Sequence, residues 1–230
     1  MTQEKKGERI AKVIAASGAC SRRDAEKIIL EGRVKVNGKL INSPALNVTD
    51  ETISIDDIVI TKPKTSRLFK YYKPVGLVTT HKDEKGRQTV FESLPQNMPR
   101  VISVGRLDLN SEGLLLLTTS GEVARQFELP SSNLERVYRV RVYGNVNMDE
   151  LKNLKKGIEI DGVRYGSIDV SAEKIAVNSW LKVSIREGKN REVRKVLAHF
   201  GLEVNRLIRT RYGEYELGDM QPGEVVEIKQ

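Results

Sequence analysis

Cysteine is almost missing from this sequence: Cys20 is the only one among 230 residues. An internal disulfide is therefore excluded. Two histidines, His81 and His199, and the lack of any Cys-x-x-Cys spacing leave no structural metal set. Cys20 reads as a small packed residue, His199 as part of a helix and His81 as a loop residue. No Gly-x-Gly-x-x-Gly and no Gly-x-x-x-x-Gly-Lys-Ser/Thr occurs, so neither dinucleotide nor phosphate-loop nucleotide chemistry is signalled. The longest leucine run, Leu114 to Leu117, falls far short of the roughly 20 apolar residues of a membrane span. The start, Met1 to Gly7, is polar and carries no hydrophobic signal core. A cytoplasmic protein without membrane contact is the expectation. Internal repeats and low-complexity segments are also lacking.

What is present supports a packed protein: 39% of residues are hydrophobic and 30% charged, a balance outside the disordered range. The length accommodates one catalytic core and a smaller companion domain. A net charge of +8 favours polyanionic partners such as nucleic acid through long-range attraction. It selects no single partner.

Ile10, Val13 and Ile14 recur at helical spacing before Gly18, predicting a short first helix. Ser21 stands three residues before Asp24 in a capping-box arrangement, and Ile28 and Ile29 give a second helix its apolar face before Gly32 stops it. Val34-Lys35-Val36 alternates, and Asn37-Gly38 favours the positive φ angles of a tight hairpin turn into Lys39-Leu40-Ile41. Arg22, Arg23, Lys27, Arg33, Lys35 and Lys39 gather around the second helix and the hairpin, as a surface facing phosphates or as a solvated charged face. Ser21-Arg22-Arg23-Asp24-Ala25 with Glu31-Gly32-Arg33-Val34-Lys35-Val36-Asn37-Gly38-Lys39 resembles the S4 RNA-binding domain over about Glu8 to Ile60.

Thr61 to Ser66 is polar and contains Pro63, the composition of a linker. We expect an S4-like domain over residues 1–60, a linker over 61–66 and a catalytic domain over 67–230. The part through Ser66 carries +3 and the remainder +5, so both can touch RNA. In the larger part, Val137 to Tyr143 and Leu181 to Ile185 alternate with period two. Asn190 is placed to cap a helix with Val193, Val196, Leu197 and Phe200 on one face. The fold class is α+β, with a mixed, mainly antiparallel sheet and flanking helices.

Gly105-Arg106-Leu107-Asp108 runs through Leu109-Asn110-Ser111-Glu112-Gly113 into the four leucines, which puts Asp108 on a polar loop beside a buried strand. By spacing alone such an aspartate is a turn residue accepting backbone amides. Tyr138 shares a strand face with Val140 and Val142 and points inward, as a core tyrosine would. Arg191 and Arg194 fall near a helix start, where the dipole disfavours cations unless an anion is near. Arg206, Arg209, Arg211 and Tyr212, with Leu207 and Ile208 between them, read as a half-buried strand.

Four segments in order resemble the RsuA/RluB-type ribosomal RNA pseudouridine synthases. They are Lys73-Pro74-Val75-Gly76; Gly105 to Asp108 with Gly113 to Thr119 and Gly121; Tyr138-Arg139-Val140; and Glu187-Gly188-Lys189-Asn190-Arg191-Glu192-Val193-Arg194. With the S4-like segment the resemblance spans nearly the whole chain. Tyr71-Tyr72-Lys73-Pro74 and Gly86 to Phe91 are most similar to the large-subunit, B-type enzymes.

The resemblance implies isomerisation of uridine in ribosomal RNA, with 23S RNA or a pre-ribosomal particle as the partner, by a monomer needing no cofactor. It assigns Asp108 as the essential carboxylate, attacking sugar or uracil or helping to remove a sugar proton. Arg194 is assigned to pair with Asp108, and Tyr138 to stack on the uracil. Arg106 enters the gap left by an extracted base or contacts a phosphate, and Lys73 and Arg191 add RNA contacts. A binding or ribosome-assembly factor of the same fold without catalysis is the rival reading, for which the set Asp108, Tyr138 and Arg194 has no chemical use. A carboxylate glycosidase would need a second acid across the bond.

Overall fold

A computed structural model describes residues 7–61, 63 and 65–229. Lys62 and Lys64 of the expected linker lie outside the described residues. The chain divides into two compact units. One runs to Arg67 and includes Asn97–Ile102 and Thr118–Gly121; the other holds Leu68–Gln96, Ser103–Leu117 and Glu122–Gln230.

The first unit is built as its sequence pattern predicts. Helix α1 spans Ile10–Ala16 and buries Ile10, Ala11 and Ile14. Helix α2, Arg22–Leu30, starts where the Ser21 side chain accepts the Asp24 N–H at 3.1 Å. That cap satisfies one of the amides the first turn leaves free. Strands β1 (Val34–Val36) and β2 (Lys39–Leu40) meet through Asn37 and Gly38, both at positive φ. Strands β3 (Ile53–Ile55) and β4 (Ile58–Ile60) complete an antiparallel sheet in the order β2-β1-β3-β4. Ala25, Ile29, Val34 and Ile53 close a small core, and Cys20 packs half-buried against it as an apolar filler.

The second unit is built on a larger sheet. Its strands are β5 (Leu68–Lys73), β6 (Glu112–Thr118), β7 (Arg136–Tyr143), β8 (Ile168–Lys174), β9 (Asn178–Ile185), β10 (Glu203–Tyr212) and β11 (Val225–Ile228). Their order is β8-β9-β7-β10-β6-β5-β11. The β8/β9, β9/β7, β7/β10 and β5/β11 pairs are antiparallel and β10/β6 is parallel. Helices α3 (Gly121–Glu128), α4 (Met148–Lys152) and α5 (Glu192–His199) lie between strands in the sequence. The fold class is the expected one: α+β, with a mixed, mainly antiparallel sheet.

Burial follows position in the sheet. Every residue of β6 is buried, which is why Gly113 to Leu117 reads as a continuous rather than an alternating apolar run. β7 and β9, open on one face, alternate instead. Gly113 is needed where β6 meets β10: its φ is +101°, and a Cβ there would lie 2.4 Å from the Arg209 carbonyl oxygen. Among the described residues no helix is long and apolar enough to cross a membrane.

Candidate active site

Asp108 sits on the loop that enters β6, and that loop is held from behind at many points. Gly105 N–H donates to Glu128 Oε1 at 2.6 Å, and the Leu107 carbonyl accepts from Thr79 Oγ1 at 2.9 Å. Gly76 N–H donates to the Leu109 carbonyl at 2.9 Å. Lys73, with no exposed surface, donates its ammonium to the carbonyls of Pro74 (3.0 Å), Asp108 (3.1 Å) and Ser111 (2.8 Å). A side chain on such a loop has little freedom to swing, the preorganisation a reacting group needs.

The Asp108 carboxylate retains about a third of its surface (34%) and faces Arg191, whose Nη1 is 3.8 Å from Oδ2. Arg191 precedes α5 in the left-handed region, φ 54°. The expected cap, Asn190, is displaced by one residue. Arg191 occupies the cap position, while Glu192 Oε2 reaches back to accept the Lys189 N–H at 3.0 Å.

Both groups line a cleft of about 810 Å³ together with Arg106, Tyr138, Arg186 and Arg209, within the size range of small-molecule sites. Tyr138, 8% exposed, comes from β7 opposite Val183 and Arg209. Arg209 is 97% buried and donates Nε–H to the Leu114 carbonyl at 2.8 Å, tying β10 to β6. Arg106 is exposed and makes no side-chain hydrogen bond among the described residues. The other carboxylates on the wall are committed to protein N–H groups: Glu128 to Gly105, Glu187 to Gly166 at 2.7 Å, and Glu192 to Lys189. Among the described residues lining the cleft, only Asp108 presents a carboxylate without such a backbone commitment.

Known proteins match most of the chain. The model for RNA pseudouridylate synthases matches residues 67–199, and that for the S4 domain residues 8–54. The chain belongs to the RNA pseudouridylate synthase family. A relative from Rickettsia bellii called an uncharacterized RNA pseudouridine synthase is 56% identical, over 96% of each chain. The ribosomal large subunit pseudouridine synthase B of Yersinia pestis is 40% identical over 92% of this chain and 69% of its own. A crystal structure of a pseudouridylate synthase superimposes with a TM-score of 0.68 at 25% identity, covering 96% of each chain. The enzyme's fold, its S4 module and its reaction class agree with the motif reading.

Two sequence expectations need correction. Lys73, expected to touch RNA, is fully buried, and its ammonium is spent on three carbonyls. It shapes the Asp108 loop instead. Burial pushes its pKa down to about 8, opposed by the charges of Asp108 and Glu112. The guanidinium of Arg194, expected to grip Asp108 in a two-point pair, binds backbone. It donates to the Val204 carbonyl at 2.9 Å and the Asn110 carbonyl at 2.8 Å, bracing the loop two residues beyond. Burial, then the adjacent Arg191 cation, lowers its pKa, and Asp108 opposes them. The cation facing the carboxylate most closely is Arg191.

The basic residues of the S4 module fall into two groups. Arg33 is held by Asp56 through two hydrogen bonds, 2.9 and 2.6 Å, and Lys35 by Asp57 at 2.5 Å. Arg22, Arg23, Lys27 and Lys39 are exposed, Lys27 near the Asp24 carboxylate. Arg22, Arg23 and Lys39 have no side-chain partner among the described residues.

Glu187 and Glu192 stand in the last of the four motifs, but nothing in the sequence marks Glu192 as a buried acid. Glu192 is 3% exposed. Burial, and then the Glu187 charge, pushes its pKa up to about 7. Burial acts in the same direction on Glu187, but the Lys189 ammonium and the Gly166 N–H hold it below the ordinary range. A raised carboxyl pKa means the folded state binds the extra proton. The stability from Glu192 is therefore full below its unfolded value, near 4.5, and is lost as pH rises to about 7. Glu192→Gln keeps the acceptor for Lys189 without the charge. We expect it to raise stability at pH 8 by about 1 kcal/mol and to flatten the slope between about pH 5 and 7, since a tenfold change in proton affinity is worth roughly 1.4 kcal/mol. Urea unfolding at several pH values checks this, and a variant less stable than the parent at pH 8 would refute it.

Proposed function

We propose that this enzyme isomerises a uridine of ribosomal RNA, in the 23S RNA or a pre-ribosomal particle, with Asp108 as nucleophile or base. The carrying observation is one uncommitted carboxylate in an arginine-lined cleft, 3.8 Å from the Arg191 cation, with Tyr138 in the same wall. The large-subunit assignment is supported by the name of the Yersinia pestis relative. The protein is proposed to act as a monomer in the cytoplasm.

The bond between N1 and C1′ breaks, C5 bonds to C1′, C5 gives up its proton and N1 gains one, so no oxidant or reductant is consumed. Asp108 takes part by attack or by proton removal, and Arg191 holds its charge in place. The uridine must leave its stack, at a cost of roughly a few kcal/mol. Tyr138 then receives the uracil against its ring, and the exposed Arg106 is free to fill the gap or to meet a phosphate. Arg194 and Lys73 act through the loop as positioning residues. A glycosidase is disfavoured because each of the other carboxylates on the wall is held by a backbone N–H.

The test is chemical mapping of pseudouridine in ribosomal RNA from cells lacking the gene, complemented with the parent or with Asp108→Asn. Restoration by the parent alone is expected, and restoration by Asp108→Asn would exclude the assignment. The S4 module is proposed to dock the RNA backbone. Changing Arg22, Arg23 and Lys39 to Gln is expected to lower the slope of log affinity against log salt by about 2, at roughly 0.7 to 0.9 per phosphate contact. An unchanged slope in filter binding would rule out docking by these three.

A further inference from the structure

The sheet carries a second surface that the cleft does not use. Along β7, Val140 and Val142 point into the core, while Arg139, Arg141 and Tyr143 point out. On the neighbouring β9, Leu181 and Val183 are buried, while Trp180 is half-buried and Lys182 exposed. The register puts Arg139 opposite Lys182, and Arg141 opposite Trp180. On β8, Lys174 stands on the other side of Trp180. Facing residues of adjacent strands lie about 5 Å apart, so these groups form one patch.

Its composition is unusual for a solvated face. The Arg139 guanidinium lies 4.3 Å from the centre of the indole ring, and Glu173 Oε2 accepts its Nε–H at 2.6 Å. Even so, its side chain keeps 48% of its surface. The pair is a cation–π contact, fixed at one edge by a carboxylate and open above. Arg141, Lys174 and Lys182 have no side-chain partner among the described residues, and Tyr143 is 53% exposed beside them. Glu203, opposite Tyr143, is the acid at the margin. Flat stacking groups amid unpaired cations are what a single-stranded polynucleotide needs: bases stack on aromatic rings and guanidinium planes, and the cations meet phosphates.

We propose that this outer face binds single-stranded RNA flanking the target uridine, with Trp180 and Arg139 as the stacking platform. The proposal rests on the enzyme acting on RNA, and it concerns a different face from the one that holds Asp108. Trp180 is the sole tryptophan, so its fluorescence reports this surface and no other.

The experiment titrates the full chain with oligocytidylate, which contains no uridine to engage the chemistry, while indole emission is followed. Quenching is expected. In Arg141→Gln/Lys182→Gln it should need roughly ten-fold more RNA, with the log–log salt slope lower by about 1.4. The same variant should form pseudouridine in a short hairpin at the parental rate, because it alters nothing in the cleft. Absence of quenching, an unchanged salt slope, or equal quenching by inorganic polyphosphate would overturn the proposal, the last because bases would then be irrelevant. A parent chain that is quenched but forms no pseudouridine in ribosomal RNA would support the platform and sink the catalytic assignment.

Discussion

With Asp108 replaced by Asn, RNA carrying tritium at C5 of its uridines is expected to release none above background, a loss of at least about 10⁴-fold. Asn matches the carboxylate in shape and keeps a carbonyl oxygen toward Arg191. It has neither the charge to attack carbon nor the basicity to take a proton. RNA affinity should change by only a few fold, since a 34%-exposed side chain in the cleft contributes little to phosphate binding and removing a negative charge favours it. The pairing of lost turnover with retained binding is the informative result. Residual turnover within about ten-fold of the parent would show that another group does the chemistry.

Lys73→Met carries the second largest effect. Methionine follows the course of the lysine chain without its ammonium, leaving the carbonyls of Pro74, Asp108 and Ser111 without that donor in the interior. Charge-assisted hydrogen bonds contribute about 1.5 to 3 kcal/mol each, and relief from burying a cation offsets several kcal/mol of that. A net destabilisation of about 2 to 3 kcal/mol in urea unfolding is expected. Activity should suffer more than stability implies, because two of the three carbonyls belong to the Asp108 loop. A displacement of about 1 Å at a reacting group can cost roughly 100-fold in turnover. The expectation is a fall in kcat of that order with KM little changed, under conditions where the variant remains folded. A parental kcat in folded Lys73→Met would leave Lys73 as a purely structural residue.

Local patterns are legible where local physics decides them. Ser21 capping α2, Asn37-Gly38 turning the hairpin and the alternation along β7 and β9 all take the form their residues imply. Each depends on neighbours within a few positions. The start of α5 is displaced by one residue because Glu192, which looks like an ordinary first-turn acid, is buried and reaches back to Lys189. Arg206, Arg209 and Arg211 show the same limit. All three lie on the half-buried β10, but Arg209 is enclosed, while Arg206 and Arg211 pair with Glu112 and Glu135.

By itself the sequence determined the reaction class, through an ordered set of motifs, and the α+β architecture, through periodicity and turn chemistry. It also determined that a basic chain with one cysteine has no internal disulfide to rely on. Only the tertiary structure decided which cation faces Asp108. Arg191 and Arg194 are three residues apart on one segment. Their division of labour depends on where the Asn110 and Val204 carbonyls arrive from other parts of the chain. Tertiary structure likewise turned Lys73 from a surface cation into an internal brace, because burial is a property of the assembled sheet and not of the residue or its neighbours in sequence.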